Sequence, residues 1–347
     1  MKKDNPFAMT FGLKPENYIS RATASDEIIS NFENSKANNV YMITGVRGSG
    51  KTVLLTHISN HFRDQKDWIV IELVPASDML EQFASRLYDA SLLNKLFSGK
   101  TFGFSFAGAS FSISGEKPIT NVITLIEVLL EKLKNHKKNV LVCIDEVSAS
   151  SCFRPFVQTF QLLLRKNLPV YLLMTGLFQN IYVLQNDKTL TFLYRAPKIN
   201  LSPLNINAIA MSYASLFHTD QETAIPLAKM TKGYAYAYQV LGYLLWEKGT
   251  LTLNQDVLSD LDQHLEEYVY EKVWSELSFN DKKVLQAFRG DDEHEVQALL
   301  RETGFDKKAF SVYRDRLIKR GLLVSSGYGR LMLLLPRFHC FMQTRID

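Results

Sequence analysis

A chain of 347 residues is too long for one ordinary domain, so two or three compact units are expected. Its 46% hydrophobic and 22% charged residues exclude a disordered or fibrous class and provide for a sizeable core. A net charge of +4 permits a nucleic-acid partner without requiring one, so any basic surface has to be found locally. Cys143, Cys152 and Cys340 form no paired framework, and the odd count suits a reducing compartment. The charged start Met1–Asn5 leads into no apolar run of signal-peptide length, and no run reaches the roughly 18 apolar residues that span a bilayer. A cytoplasmic chain with no membrane partner is the expectation.

Residues 1–38 are mixed, with a break at Gly12–Pro15 and a helical pattern from Asp26 to Asn34. Val40–Thr44 is an apolar run ending at a glycine and reads as a buried strand, followed by helical spacing from Lys51 to about His61. Trp68–Glu72 reads as a second strand, and Ser77 is placed to cap the helix that begins near Asp78. Two alternating stretches within residues 101–114 read as a β-hairpin around Ala107-Gly108, either a flap packed on the body or a partner-gripping element. A helix over about Thr120–Asn135 leads into the strand Val140–Ile144. A helix over Pro155–Arg165 leads into Val170–Gly176, and Lys198–Leu201 is a shorter fifth strand. Alternating strands and helices predict an α/β fold with a parallel sheet covered on both faces. After Pro203 the pattern is helical to residue 275, and from Ser278 three helical patterns precede two apolar strands around a Gly-Tyr-Gly turn. Domain boundaries are therefore expected near 203 and 277.

Gly45-Val46-Arg47-Gly48-Ser49-Gly50-Lys51-Thr52 fits G-x-x-x-x-G-K-[ST] between a strand and a helix. Its glycines let the backbone curl so that consecutive N–H groups face phosphate oxygens, and the following helix adds its positive end. Gly45, Arg47, Gly48, Ser49, Gly50, Lys51 and Thr52 are thus the candidate nucleotide contacts. Lys51 would reach the β- and γ-phosphates of ATP, and the Thr52 hydroxyl would bind Mg²⁺. Asp145 follows the apolar strand as a second Mg²⁺ holder, and Glu146 is placed to polarise the attacking water. Thr175, ending the next strand, would bond either the γ-phosphate or water, or else a local backbone group.

These residues, with the strand end Leu173-Met174-Thr175-Gly176, resemble a AAA+-related P-loop ATPase. The nearest groups are the archaeal-type ATPases close to the STAND and origin-recognition-like ones. The resemblance implies a P-loop parallel sheet ordered 5-1-4-3-2 over residues 1–203 and a helical lid over 204–277. It also implies that Pro15–Arg21 lies against adenine, with contacts from Tyr18 and Ile19. Arg195 stands where such proteins place an arginine finger serving a neighbouring subunit, which would make an ATP-dependent homo-oligomer. A surface or lid-packing salt bridge is its other reading. The lid departs from the pattern: Gly233-Tyr234-Ala235-Tyr236-Ala237 has alanine for proline and no arginine, so arginine sensing of the γ-phosphate is not implied and slow hydrolysis is expected.

Residues 278–347 resemble a winged helix-turn-helix. In its third helix Phe310, Tyr313 and Leu317 are spaced to face a core, leaving Lys307, Lys308, Ser311, Arg314 and Lys319 outward, with Arg330 in the wing. Thirteen Lys plus Arg against nine Asp plus Glu here make this segment the basic part of the chain. Duplex DNA is one expected partner, gripped through phosphates. A protein partner is the other, since such modules also bind protein. His57 and His61 have metal-ligand spacing but no third ligand, Cys143 reads as a core thiol, and Tyr234, Tyr236 and Tyr238 read as lid packing. The overall expectation is an ATP-dependent switch coupled to DNA, with a signalling or scaffold ATPase as the alternative.

Overall fold

The computed structural model describes residues 4–9, 15, 17–35, 37–90 and 121–345, so the hairpin expected over 101–114 lies outside the described residues. Two compact units divide the chain. A sheet unit comprises Ala22–Thr44 and Leu54–Ile199. A loop-and-helix unit comprises Met1–Arg21, Gly45–Val53 and Asn200–Asp347.

The elements through the sheet unit are α1 (Ala22–Ser30), β1 (Val40–Thr44), α2 (Lys51–Arg63), β2 (Trp68–Leu73), α3 (Met79–Asp89), α4 (Val122–Asn135), β3 (Asn139–Ile144), α5 (Phe153–Arg165), β4 (Val170–Gly176), α6 (Phe178–Gln185) and β5 (Lys198–Asn200). The sheet runs β2-β3-β4-β1-β5, which is the expected 5-1-4-3-2 order, and β2, β3, β4 and β1 pair in parallel. Strands buried on both faces need continuous apolar runs, which Val40–Thr44 and Val170–Gly176 supply. Met42, Val142 and Leu172 share one cluster with Phe83, Leu129 and Phe156 from α3, α4 and α5. The alternate residues Tyr41 and Tyr171 meet the Phe32 ring at 5.5 and 5.2 Å on the other face, and Phe62 of α2 lies 4.2 Å from Trp68. Thr44 is opposite Gly176 and Ile144 opposite Met174, so β1, β3 and β4 end together at the carboxyl edge. Ligands of open parallel sheets bind at that edge.

One local expectation fails here, and one helix was not expected. The Ser77 cap is not formed: α3 follows Asp78, whose carboxylate accepts from the Gln82 side chain one turn on, at 2.9 Å. The helix α6 was not expected, because its eight residues are too few to show a clear period.

The second unit contains α7 (Ile206–Phe217), α8 (Gln221–Met230), α9 (Ala235–Lys248), α10 (Gln255–Leu265) and, after a π turn, α11 (Glu271–Ser275). Asn205, Asp220 and Asn254 cap three of these helices by accepting from backbone N–H groups. There follow α12 (Phe279–Gln286), β6 (His294–Glu295), α13 (Val296–Thr303), α14 (Lys307–Lys319), β7 (Leu323–Gly327), β8 (Arg330–Leu333) and α15 (Phe338–Gln343). Ser278 and Asp281 form a reciprocal capping box at α12. The helix expected from Glu293 starts only at Val296, because His294 and Glu295 pair with Leu331 and Arg330 and give the antiparallel order β6-β8-β7. Buried residues from α7 to α15 form one hydrophobic cluster, so the stretches 204–277 and 278–347 share a core. Phe7 plugs into it against Gly242, where a Cβ would lie 2.2 Å from the ring.

Candidate nucleotide site

The phosphate loop is held from outside by its carbonyls. Gly48 and Gly50 have φ of 74° and 89°, a region that residues with a Cβ seldom enter. The Tyr234 hydroxyl donates to the Arg47 carbonyl at 2.6 Å, the Tyr236 N–H to the Gly48 carbonyl at 3.1 Å and the Arg21 guanidinium to the Ser49 carbonyl at 2.8 Å. Arg21 also donates to the Ser202 carbonyl. Lys51 opens α2 and is 9% exposed, and its ammonium donates to the carbonyls of Gly45 at 3.2 Å and Val46 at 3.0 Å. The buried Ser49 N–H closes a turn onto the Val46 carbonyl. Gly45 lies at the loop's entry and Thr52 follows Lys51 in the first turn of α2, half-buried. The Arg47 guanidinium reaches Glu276 at 3.4 Å, and the Glu276 carbonyl accepts from Arg320 at 3.1 Å.

The segment carrying Tyr18 and Ile19 is fixed at both ends. Asn17 accepts from the Tyr238 hydroxyl through its carbonyl and from Gln239 through its side chain, at 3.3 and 3.1 Å, while Arg21 grips the phosphate loop. Ile19 packs on the helical cluster, and burial pushes the Tyr18 phenol above its usual range. Both residues therefore lie between the loop and α9, within one unit. Arg21, Asn17 and Tyr234 were not singled out from sequence as site residues. The one signal was Gly48, a glycine at a position that the motif leaves free.

In the sheet unit, Asp145 leaves β3 half-buried and Thr175 is fully buried in β4. The Thr175 hydroxyl donates to the Asp145 carboxylate, while the Glu146 N–H donates to both Thr175 Oγ1 at 3.2 Å and Asp145 Oδ1 at 3.0 Å. The Val147 N–H donates to the Thr175 carbonyl at 2.8 Å. Glu146 is exposed and has φ 53°, a left-handed conformation that costs about 1–3 kcal/mol for a residue with a side chain. The hydroxyl of Thr175 thus has its single proton on Asp145 rather than turned outward. Arg195 ends a 3-10 turn, Thr191–Arg195, and is exposed. Burial lifts the Cys143 thiol far above its usual range, in keeping with a core residue, and His61 pairs with Glu33 at 2.8 Å. Among the described residues no group of three or more His, Cys, Asp or Glu side chains could hold a metal ion. No helix among them is long and apolar enough to cross a membrane.

The C-terminal candidates divide. Lys307 and Lys308 are exposed at the start of α14. Arg314 is held by Asp315 at 2.8 Å and by Ser311 at 3.2 Å, and Arg330 is held by Glu293 at 3.2 Å. Phe310 and Leu317 are buried as expected, and Tyr313 accepts from Asn280 at 2.7 Å. The exposed stripe of α14 runs Lys308, Val312, Asp315, Lys319, so an apolar and an acidic side chain interrupt the cations. Arg316 turns inward, 2.6 Å from the buried Asp281.

Residues 21–170 match the profile of a family described as an ATPase domain predominantly from Archaea, and residues 267–342 match a domain of unknown function. A search of curated proteins finds no match. A Walker-type ATPase of Pyrococcus abyssi has a similar fold, at 14% identity over 97% of this chain and 99% of that one, with a TM-score of 0.64. The ORC2 protein of Aeropyrum pernix, in its ADPNP–ADP complexes, is also similar, at 14% identity over 97% and 98% of the two chains, with a TM-score of 0.55. At that identity the likeness is one of fold. Residues 21–170 are thus similar to an ATPase domain found predominantly in Archaea, and the chain has an α/β fold with a five-stranded sheet like the fold of these two proteins.

Proposed function

We propose that the chain is an ATP-binding, slowly hydrolysing AAA+-like switch whose C-terminal winged helix passes the nucleotide state to a partner. The observation that carries this reading is the phosphate loop, with its carbonyls held outward by Tyr234, Tyr236 and Arg21 and Lys51 at its base. In this reading Lys51 pairs with the β- and γ-phosphates of ATP, and Tyr18 and Ile19 cover the adenine. The Thr52 hydroxyl and the Asp145 carboxylate are hard oxygen donors of the type that suits Mg²⁺. The ion, when bound, neutralises charge on the phosphates. Glu146 orients the attacking water. Thr175 holds the Asp145 carboxylate and the Glu146 backbone in place, a positioning role in preference to a direct phosphate contact. Titration of ATP with Mg²⁺ into the full chain tests the reading, and an absence of binding overturns it.

Arg195 is read as a finger completing a neighbour's site. Its exposure supports this, and the salt-bridge alternative finds no ion pair to its guanidinium among the described residues. Turnover per subunit should then rise with protein concentration, and Arg195→Ala should remove that rise. Concentration-independent turnover that Arg195→Ala leaves unchanged would return the residue to a local role.

The helix order and the β6-β8-β7 sheet of residues 278–347 support the winged-helix reading. For duplex DNA, the phosphate contacts would come from Lys307 and Lys308, with Ser311, Arg314 and Arg330 beside them. Each phosphate contact contributes about 0.9 to the slope of log affinity against log salt, so Lys307→Ala with Lys308→Ala should flatten that slope by up to about 2. A salt series on both proteins checks this. The carboxylates on Arg314 and Arg330, with Val312 and Asp315 in the exposed stripe, favour the second reading, a signalling ATPase whose winged helix binds protein. Failure of the unaltered chain to bind duplex DNA at low salt, with or without ATP, decides for it.

A further inference from the structure

The segment Gly233–Ala237 carries no arginine, yet it is tied to the phosphate loop at two points. Both ties end on loop carbonyls: the Tyr234 hydroxyl on Arg47 at 2.6 Å and the Tyr236 N–H on Gly48 at 3.1 Å. A peptide group is planar and trans, so its C=O and N–H point in opposite directions. Holding the Arg47 carbonyl against Tyr234 therefore turns the Gly48 N–H to the opposite side of the loop, the side on which such loops present N–H groups to phosphate oxygens.

Two further observations fit this use. The motif leaves position 48 free, but a Cβ there would lie 2.1 Å from the Tyr234 hydroxyl and would also have to accept φ 74°. Glycine at 48 is thus matched to tyrosine at 234. Tyr234 is 5% exposed, and burial pushes its phenol well above the usual range, so it stays protonated and keeps its donor across physiological pH.

We propose that Tyr234 is a positioning residue for the phosphate site: its hydroxyl fixes the Arg47–Gly48 peptide so that the Gly48 N–H is set for a phosphate oxygen before nucleotide arrives. A neutral donor then does from behind the loop what a cation would do from in front of it. This inference rests on the ATP-binding reading, and the test separates the two.

Tyr234→Phe removes the hydroxyl alone. ATP and AMP affinities are measured for both proteins by calorimetry and by competition, together with the melting temperature of each free protein. One lost hydrogen bond to the aimed peptide predicts about a tenfold loss for ATP. AMP lacks the phosphates that such a loop cradles, so its affinity should hold and the ATP-to-AMP ratio should fall about tenfold. Equal ATP affinity in the two proteins overturns the inference and leaves ATP binding standing. An equal loss for ATP and AMP, or a large fall in melting temperature, assigns Tyr234 a structural role and also overturns it. Failure of the unaltered chain to bind ATP removes reading and inference together. Gly48→Ala gives a second arm, since it displaces the same peptide. Adding Tyr234→Phe to it should then cost little more, whereas full additivity overturns the proposal.

Discussion

Lys51→Ala should abolish ATP binding, with a loss of two orders of magnitude or more. Lys51 is 9% exposed and its ammonium spans the Gly45 and Val46 carbonyls, so in the free protein it is a nearly buried cation held at the base of the loop. Phosphate oxygens would exchange those neutral acceptors for anionic ones, and bonds of that kind are roughly twice as strong. Hydrogen bonds to charged groups contribute about 1.5–3 kcal/mol each, and losing two of them corresponds to about a hundredfold or more in affinity. The fold should survive, because the sheet unit has a hydrophobic cluster of its own to which Lys51 does not belong. The Gly45 carbonyl does lose the Lys51 ammonium and the Val46 carbonyl keeps only the Ser49 N–H, so a fall of a few degrees in melting temperature is expected at about 1 kcal/mol. The check is the rise in melting temperature that ATP induces, which should be present in the unaltered chain and absent in the variant. An unchanged titration curve for Lys51→Ala would remove the phosphate loop from the site.

Where the sequence encodes structure in a local period, it was legible. Val40–Thr44, Val140–Ile144 and Val170–Gly176 are apolar but for Thr44 and Thr175 near the carboxyl ends, because both faces of a central parallel strand are buried. The G-x-x-x-x-G-K-[ST] run was legible because its motif residues are consecutive in the chain. The sheet order was not read from periodicity at all and came only with the family resemblance. Contacts that join distant parts of the chain stayed hidden. Tyr234 meets Arg47 across 187 residues and Gln239 meets Asn17 across 222, and nothing in either short stretch announces its partner. Arg314 and Arg330 looked like free cations in a linear reading, but folding brings Glu293 to Arg330 and the rotamer of Arg314 brings it to Asp315. The α13 boundary shifted for a related reason: His294 and Glu295 gain more from pairing with β8 than from a further helical turn. Thr175 was identified as a site residue, yet its role depends on where one proton points, which only the geometry with Asp145 reveals.

Glu146→Gln should lower the rate of ATP hydrolysis by about a hundredfold or more, the usual contribution of a positioned general base, while ATP still binds and persists. The amide keeps the size and hydrogen-bonding shape of the carboxylate but cannot take a proton from water. The left-handed backbone at Glu146 is held by N–H bonds to Thr175 and Asp145, which the substitution leaves in place, so the site around it should be undisturbed. Glu146 is also exposed, so no desolvation cost confuses the comparison. Asp145→Asn makes the contrast: it removes the anionic oxygen donor, and it should weaken ATP binding when Mg²⁺ is present and matter little when Mg²⁺ is chelated. Single-turnover hydrolysis and Mg²⁺-dependent titration, run on both variants, separate the two carboxylates into a chemical and a metal-holding role. Wild-type turnover by Glu146→Gln would mean that another group orients the water, and Thr175 could fill that place only by withdrawing its proton from Asp145.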